Sequence, residues 1–243
     1  MSTILTAESL KVRYRNGALG IVDVSLEVKA GQVVALFGAN GAGKTTTVRA
    51  ISGFLRSEGA KIISGKVTLF GEDITNCEPH SATKRGIAFV AERNKVFTNM
   101  SIAENLTALG TLPPRSRRSQ VYDQIYEIFP LLKERSKELA GRLSGGQQQM
   151  LAIARGMMCE PKLLIVDELT LGLHFTLHAP LFQAVRKIAT ETTGVIVVDE
   201  SASAALSVVD HCYLLSSGSV RTAGPASAFV GSELLAAGYV DQE

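Results

Sequence analysis

Two stretches of the chain combine residue types that can handle a phosphate chain. The first is "GANGAGKTT", Gly38–Thr46, which fits the pattern G-x-x-x-x-G-K-[ST]. It follows the apolar run "VVALF" and opens a segment that reads as a helix over 44–55. Gly38, Gly41 and Gly43, with Asn40 among them, let the backbone curl until successive N–H groups face phosphate oxygens. The helix start adds partial positive charge. Lys44 then bridges β- and γ-phosphates, the Thr45 hydroxyl holds Mg²⁺, and Thr46 supports the α-phosphate.

The second stretch is "KLLIVDE", whose apolar residues end in Asp167 and Glu168. A strand there would present both carboxylates at the carboxyl edge of a sheet, where α/β folds bind ligands. Asp167 can hold magnesium through water, and Glu168 can accept a proton from an attacking water. Apolar strands ending in Asp-Glu are common on their own. After a phosphate loop, the pair favours hydrolysis. A further run, Val195–Val198 in "GVIVVDESASAAL", also ends in two carboxylates, Asp199 and Glu200. That placement is puzzling if the nearby ligand is itself negative.

These residues need a scaffold of strands buried on both faces. The chain supplies "LKVRY", then "VDVSLEVKAGQVVALFG", in which alternation gives way to a continuous apolar run. "GKVTLFGEDI" reads as a strand with a glycine turn, and "GIAFVAER" as another. Near Met100 the texture changes. Ser101 to Glu104 forms a capping box, "TLPPRSRRS" reads as a basic loop, and Val121, Ile125, Ile128 and Leu132 fall at helical spacing. Pro130 splits that helix in two. Residues ~95–143 thus form a helical insertion in an α/β core. Beyond it lie a helix from Gly146, the strand "KLLIVDE", a helix around Pro180–Thr190, the Val195–Val198 strand and a hairpin "YLLSSGSVRTAGP". The segment "ASAFVGSELLAAGY" reads as helical.

The totals narrow the function. A chain of 243 residues with 46% hydrophobic residues can bury a substantial core. Charged residues are only 20% and mean hydropathy is +0.17, so a partner is expected over some apolar surface. A net charge of +2 gives no nucleic-acid footprint. Cys77, Cys159 and Cys212 are far apart and have no metal spacing, which suits a reducing compartment. The start "MSTILTAESL" has no signal-peptide pattern, and no apolar run nears the ~20 residues of a membrane span.

"LSGGQQQMLAIARGMM" decides the class. Leu143–Gln147 resembles the signature motif of ABC (ATP-binding cassette) ATPases. The resemblance covers nearly the whole chain. It implies an α/β fold, a P-loop NTPase of the ABC type with an N-terminal antiparallel β subdomain and an inserted α-helical subdomain. In the family, the helix start at Ser144, Gly145 and Gly146, with Gln147, serves the γ-phosphate of the opposite subunit, so hydrolysis requires a dimer. Tyr14 stands where the family stacks an aromatic ring on adenine. Glu92 stands where most members place a Gln that contacts magnesium and water. It is a good hard ligand, which makes Thr45, Glu92 and Asp167 the metal set and Glu168, Glu200 and Glu92 the catalytic one.

"FVAERNKVFTNMSIAENL" and "YEIFPLLKERSKELAGRLSGGQQQMLAIARGMM" are most similar to the shorter ATP-binding subunit of branched-chain amino-acid importers and their amide and urea relatives. The resemblance implies ATP and Mg²⁺ as cofactors and a peripheral location on the cytoplasmic face of the membrane. The implied partners are two membrane permeases, a second ATPase subunit or an identical copy, and, indirectly, an extracytoplasmic solute-binding protein. Alternatives are a slow regulatory subunit and a soluble ABC protein outside transport. With Glu92, four positions depart from the pattern. Leu169 replaces the usual Pro, a change that would loosen the turn, and His174 replaces a common Asp. Glu200 aligns with the switch histidine that hydrogen-bonds the γ-phosphate. An ionised Glu cannot donate and repels the phosphate. Like charges at ~4 Å cost ~4 kcal/mol at an effective dielectric of 20. Glu200 is therefore protonated near ATP, turned away, or part of a site that binds without efficient hydrolysis.

Overall fold

The structure, a computed structural model, describes residues 2–92, 95–108, 111–200 and 202–230. Its strands lie in the order β5-β4-β1-β2-β10-β9-β3-β8-β7-β6. The antiparallel part comprises β1 (Thr3–Tyr14), β2 (Leu19–Lys29), β4 (Ala60–Leu69) and β5 (Glu72–Asp73). The core part comprises β3 (Val33–Phe37), β6 (Ile87–Val90), β7 (Leu163–Val166), β8 (Gly194–Val198), β9 (His211–Ser216) and β10 (Ser219–Pro225). Strands β9, β3, β8, β7 and β6 run parallel, and β10 returns antiparallel beside β9.

The apolar runs are buried on both faces because each face meets a different layer. Val33, Ala35 and Phe37 of β3 point into one core and Val34 and Leu36 into the other. The first core is closed by α6 (Gly145–Met157) and α7 (His178–Ile188); the second by α1 (Lys44–Ser52) and the antiparallel strands. This period-2 division of one run is what a central parallel strand requires.

Between β6 and α6 lie α3 (Ile102–Thr107), α4 (Arg115–Ile128) and α5 (Pro130–Glu134). Ser101 and Glu104 form the expected capping box of α3. The helix over Val121–Leu132 is interrupted at Phe129, where Pro130 begins α5. These helices share a core with α6 and the sheet, through Ile102, Leu106, Ile125 and Leu132. The expected basic loop is corrected: Arg115, Arg117 and Arg118 form the first turn of α4, which Pro114 precedes. Arg117 pairs with Glu160 at 2.6 Å, and Arg118 donates to Pro113 O at 3.0 Å.

Two short helices, α2 (Pro79–Lys84) and α8 (Ala202–Ala205), have no counterpart in the sequence reading. Of the expected closing helix, Ala226–Ala228 forms a single 3₁₀ turn, and residues 231–243 lie outside the described set. Among the described residues, no helix is long and apolar enough to cross a membrane.

Candidate active site

The phosphate loop joins β3 to α1. Gly38, Gly41 and Gly43 all have positive φ, at 144°, 81° and 102°. Gly38 is fixed by more than conformation, since a Cβ there would fall 2.3 Å from Leu215 O on β9. The β9–β10 turn braces the loop from behind. Gly218 N donates to Ala42 O at 3.1 Å, and Val22 N donates to Gly218 O at 2.7 Å.

A cavity of about 430 Å³ opens over the loop, lined by Tyr14, Gly20, Asn40 to Thr46, Glu168, Ser217 and Gly218. Lys44 is buried and arcs back over the loop, its ammonium donating to Gly38 O at 2.7 Å and Ala39 O at 3.1 Å. Tyr14 lies at the cavity wall, its hydroxyl 2.9 Å from Thr46 Oγ1. Gly20 leaves room for that ring, since a Cβ there would come within 2.5 Å of it.

Strand β7 delivers Asp167 and Glu168 to this edge. Asp167 is fully buried. Its Oδ1 accepts the Thr45 hydroxyl at 3.3 Å, and its backbone N–H donates to Val90 O at 2.9 Å. Its Oδ2 is buried with no hydrogen-bond partner among the described residues. An orphaned buried carboxylate oxygen is costly, and a divalent cation would satisfy it. The hydroxyl of Thr45 and the carboxylates of Asp167 and Glu92 are hard oxygen donors of the kind Mg²⁺ takes, the remaining positions falling to water and phosphate. Burial pushes the Asp167 carboxyl above its usual range, opposed by the Thr45 hydrogen bond and by Arg49 and Lys44, with Glu92 adding to the rise.

Glu168 sits in the left-handed region with φ 52°, rare for a side chain of its size. It is 8% exposed and lines the cavity. Burial pushes its carboxyl up to about 7; Lys44 opposes the shift, while Asp167, Asp199 and Glu200 add to it. A carboxyl in that range is matched to taking a proton from water near neutral pH.

The next residue overturns an expectation. Leu169 does not loosen the turn: its side chain is fully buried, and its N–H donates to Val198 O at 3.2 Å. A proline could not make that bond. Thr170 then donates its N–H to Asp199 Oδ2 at 2.9 Å, and its hydroxyl lies 2.9 and 2.8 Å from the two carboxylate oxygens of Asp199. Glu200 follows Asp199, half-buried, with its charge felt at Glu168.

The sequence reading missed a cation here. Lys95 donates to Gln149 Oε1 on α6, and its own carbonyl accepts from Arg155 Nη1 at 2.5 Å. Burial pushes the Lys95 ammonium below its usual range, against the attraction of Glu92, Asp167, Glu168 and Asp199. Nothing in the local sequence marks this lysine; only folding places it near those carboxylates. The serine-glycine pair at 217–218 is the other omission, and its one signal was the turn-forming dipeptide inside the closing hairpin.

The Ser144–Gln147 corner lines no part of the cavity over Gly38–Thr46. Ser144 caps α6, its Oγ accepting from Gln147 N at 3.4 Å, while Gln147 Oε1 accepts from Ser144 N and Arg135 Nη1, both at 3.1 Å. Ser144 and Gly145 are exposed. Leu173 packs against Gly145 and Leu177 against Gly146, so the segment after Glu168 reaches this corner. His174 in that segment is exposed, bonded to Thr176 Oγ1 at 3.0 Å and set against Phe175, which is 73% exposed.

The family model for ABC transporters matches residues 21–171. The chain belongs to the ABC transporter family. It is an ABC-type ATPase with the P-loop cassette fold. Among its relatives is the high-affinity branched-chain amino acid transport ATP-binding protein BraG of Pseudomonas aeruginosa, 37% identical over 82% of this chain and 83% of that one. The lipopolysaccharide export system ATP-binding protein LptB of Haemophilus influenzae is 29% identical over 99% of this chain and 98% of its own. A crystal structure of the ADP conformation of MJ1267, an ATP-binding cassette of an ABC transporter, superposes with a TM-score of 0.79. It is 25% identical, and the match covers 100% of both chains.

Proposed function

We propose that this ABC ATPase powers an importer for branched-chain amino acids or related polar solutes. The likeness to BraG over four-fifths of both chains carries this reading. The likeness to LptB, whose name gives it to export, is why the solute and the direction rest on that comparison and not on the fold.

In this reading the main-chain amides of Gly38–Gly43 and the ammonium of Lys44 bind the triphosphate, while Tyr14 supports the base. Thr46 backs the α-phosphate. Thr45, Asp167 and Glu92 hold Mg²⁺, which supplies charge neutralisation at the phosphates. Ser144, Gly145, Gly146 and Gln147 seal the nucleotide of the opposite subunit, which is a second copy or a related ATPase. Glu168 takes the proton of the water that attacks the γ-phosphorus, and the bond to the β–γ bridging oxygen breaks to give ADP and phosphate. Closing and reopening of the dimer is passed to two permeases at the cytoplasmic face of the membrane, with a solute-binding protein on the far side. The exposed Phe175 and Leu171, in the segment whose Leu173 and Leu177 meet Gly145 and Gly146, give a partner apolar surface to cover.

A second reading, a slow or regulatory subunit, is favoured by Glu200, an acceptor where a donor would serve better. Purification of the chain from its native membrane, followed by solute uptake into vesicles holding the recovered complex, separates the two. ATP-dependent uptake of branched-chain amino acids supports the importer. Recovery without permeases, or with export components, rejects it.

A further inference from the structure

The turn that carries Glu168 is anchored from outside β7. Glu168 occupies a left-handed backbone conformation, which a residue of this kind keeps only when its surroundings impose it. Two connections follow in chain order. Leu169 N is held by Val198 O, the last residue of β8, and Thr170 is held by Asp199, the residue after it. Thr170 and Asp199 are 4% and 2% exposed, so water does not compete for these bonds. Asp199 is fixed in turn from the nucleotide side, where its N–H reaches Leu36 O of β3 at 3.4 Å, two residues before Gly38.

We infer that Asp199 is a positioning residue for Glu168, acting through the N–H and hydroxyl of Thr170. Threonine presents two donors to one carboxylate, and the pair closes the turn two residues beyond Glu168. Glu200 is the residue that follows this anchor in the chain. The inference rests on the reading of Glu168 as the base.

The test uses the full chain, together with the subunits that accompany it, and follows MgATP turnover. Thr170→Val is expected to lower kcat about 10- to 100-fold, as a misplacement on the order of 1 Å does. KM and the affinity for a non-hydrolysable ATP analogue should stay within about threefold, because no phosphate contact is lost. Thr170→Ser keeps both donors and should restore most of the turnover lost in Thr170→Val. Asp199→Asn keeps one acceptor and should fall between parent and valine variant. In a Glu168→Gln background, residual single-turnover hydrolysis followed over hours should change less than about twofold on adding Thr170→Val, since the clamp works through the missing base.

Full turnover in folded Thr170→Val and Asp199→Asn overturns the inference. So does an equal loss in both backgrounds, or a loss confined to affinity. Failure of both variants to fold assigns the clamp to stability alone and overturns it as well. If Glu168→Gln by itself keeps normal turnover, the reading of Glu168 fails instead, and that result is distinct from any of these.

Discussion

The Thr45 hydroxyl donates to Asp167 Oδ1 across 3.3 Å and so joins the first turn of α1 to the end of β7. One contact thus links the phosphate-binding half of the site to the half that carries the carboxylates. The opposite oxygen of the same carboxylate is buried and unpartnered among the described residues. Asp167→Asn should therefore raise the Mg²⁺ concentration needed for turnover at least about tenfold. The amide puts a donor where a cation would sit and forfeits a charge-assisted bond. Titration of Mg²⁺ at fixed ATP checks this; an unchanged midpoint removes Asp167 from the metal set.

Lys44 grips two carbonyls of its own loop. Lys44→Ala should lose about 100-fold in MgATP affinity by calorimetry, since hydrogen bonds from charged groups are worth about 1.5–3 kcal/mol each. Equal heats for parent and variant would refute the placement of the triphosphate on this loop.

Glu200 adds a negative charge beside Glu168, and the half-buried Lys95 is drawn to Glu92, Asp167, Glu168 and Asp199. Glu200→Gln should raise MgATP turnover several-fold, because an amide donates where a carboxylate repels. Lys95→Met should lower turnover, and by less in the Glu200→Gln background, where less negative charge remains to be offset. Additive effects in that cycle would show that the two residues do not share a field.

Leu169 occupies the position where the family pattern has proline, yet its N–H is bonded and its side chain is fully buried. Leu169→Pro should therefore destabilise the protein by about 1 kcal/mol or more, from the lost bond and the lost packing. A lower urea midpoint is the expected result; a higher one would mean that the turn prefers the ring.

His211 opens β9 with its ring against Tyr213, centroids 4.9 Å apart. Burial holds its imidazole below the ordinary value, Lys29 lowers it further, and Glu27 opposes. The folded chain thus binds its proton less readily than the unfolded chain does. Stability from this group is complete above about pH 6.5 and is lost as pH falls through the lower folded value. The drop in urea midpoint from pH 7.5 to 5.5 should be smaller in His211→Asn. An identical drop would assign the pH response to other groups.

Where a feature was local, the sequence showed it. The runs of β3, β7 and β8 were legible because both their faces are buried, and the Ser101 and Ser144 helix starts because capping is a matter of neighbours. The break at Pro130 was legible for the same reason. Arg115–Arg118 was mistaken for a loop because it has no apolar period, although Pro114 ahead of it is a fair way to begin a helix. In the candidate site, the placement of Gly38–Thr46, Asp167 and Glu168 was legible since each follows the end of an apolar strand. Lys95 and the Thr170–Asp199 clamp were not. They bring together residues 54 and 29 positions from their partners, and only the strand order decides who meets whom.

The brace that Leu215 and Gly218 give the phosphate loop has a consequence for biosynthesis. The turn that supports Gly38 reaches Gly218 only 180 residues later in the chain. A nascent chain holding every residue of the nucleotide loop still lacks its floor, so ATP can act as a folding ligand only once that turn has been made. Fragments cut short before β10 should be deaf to nucleotide even where the rest of the core has formed.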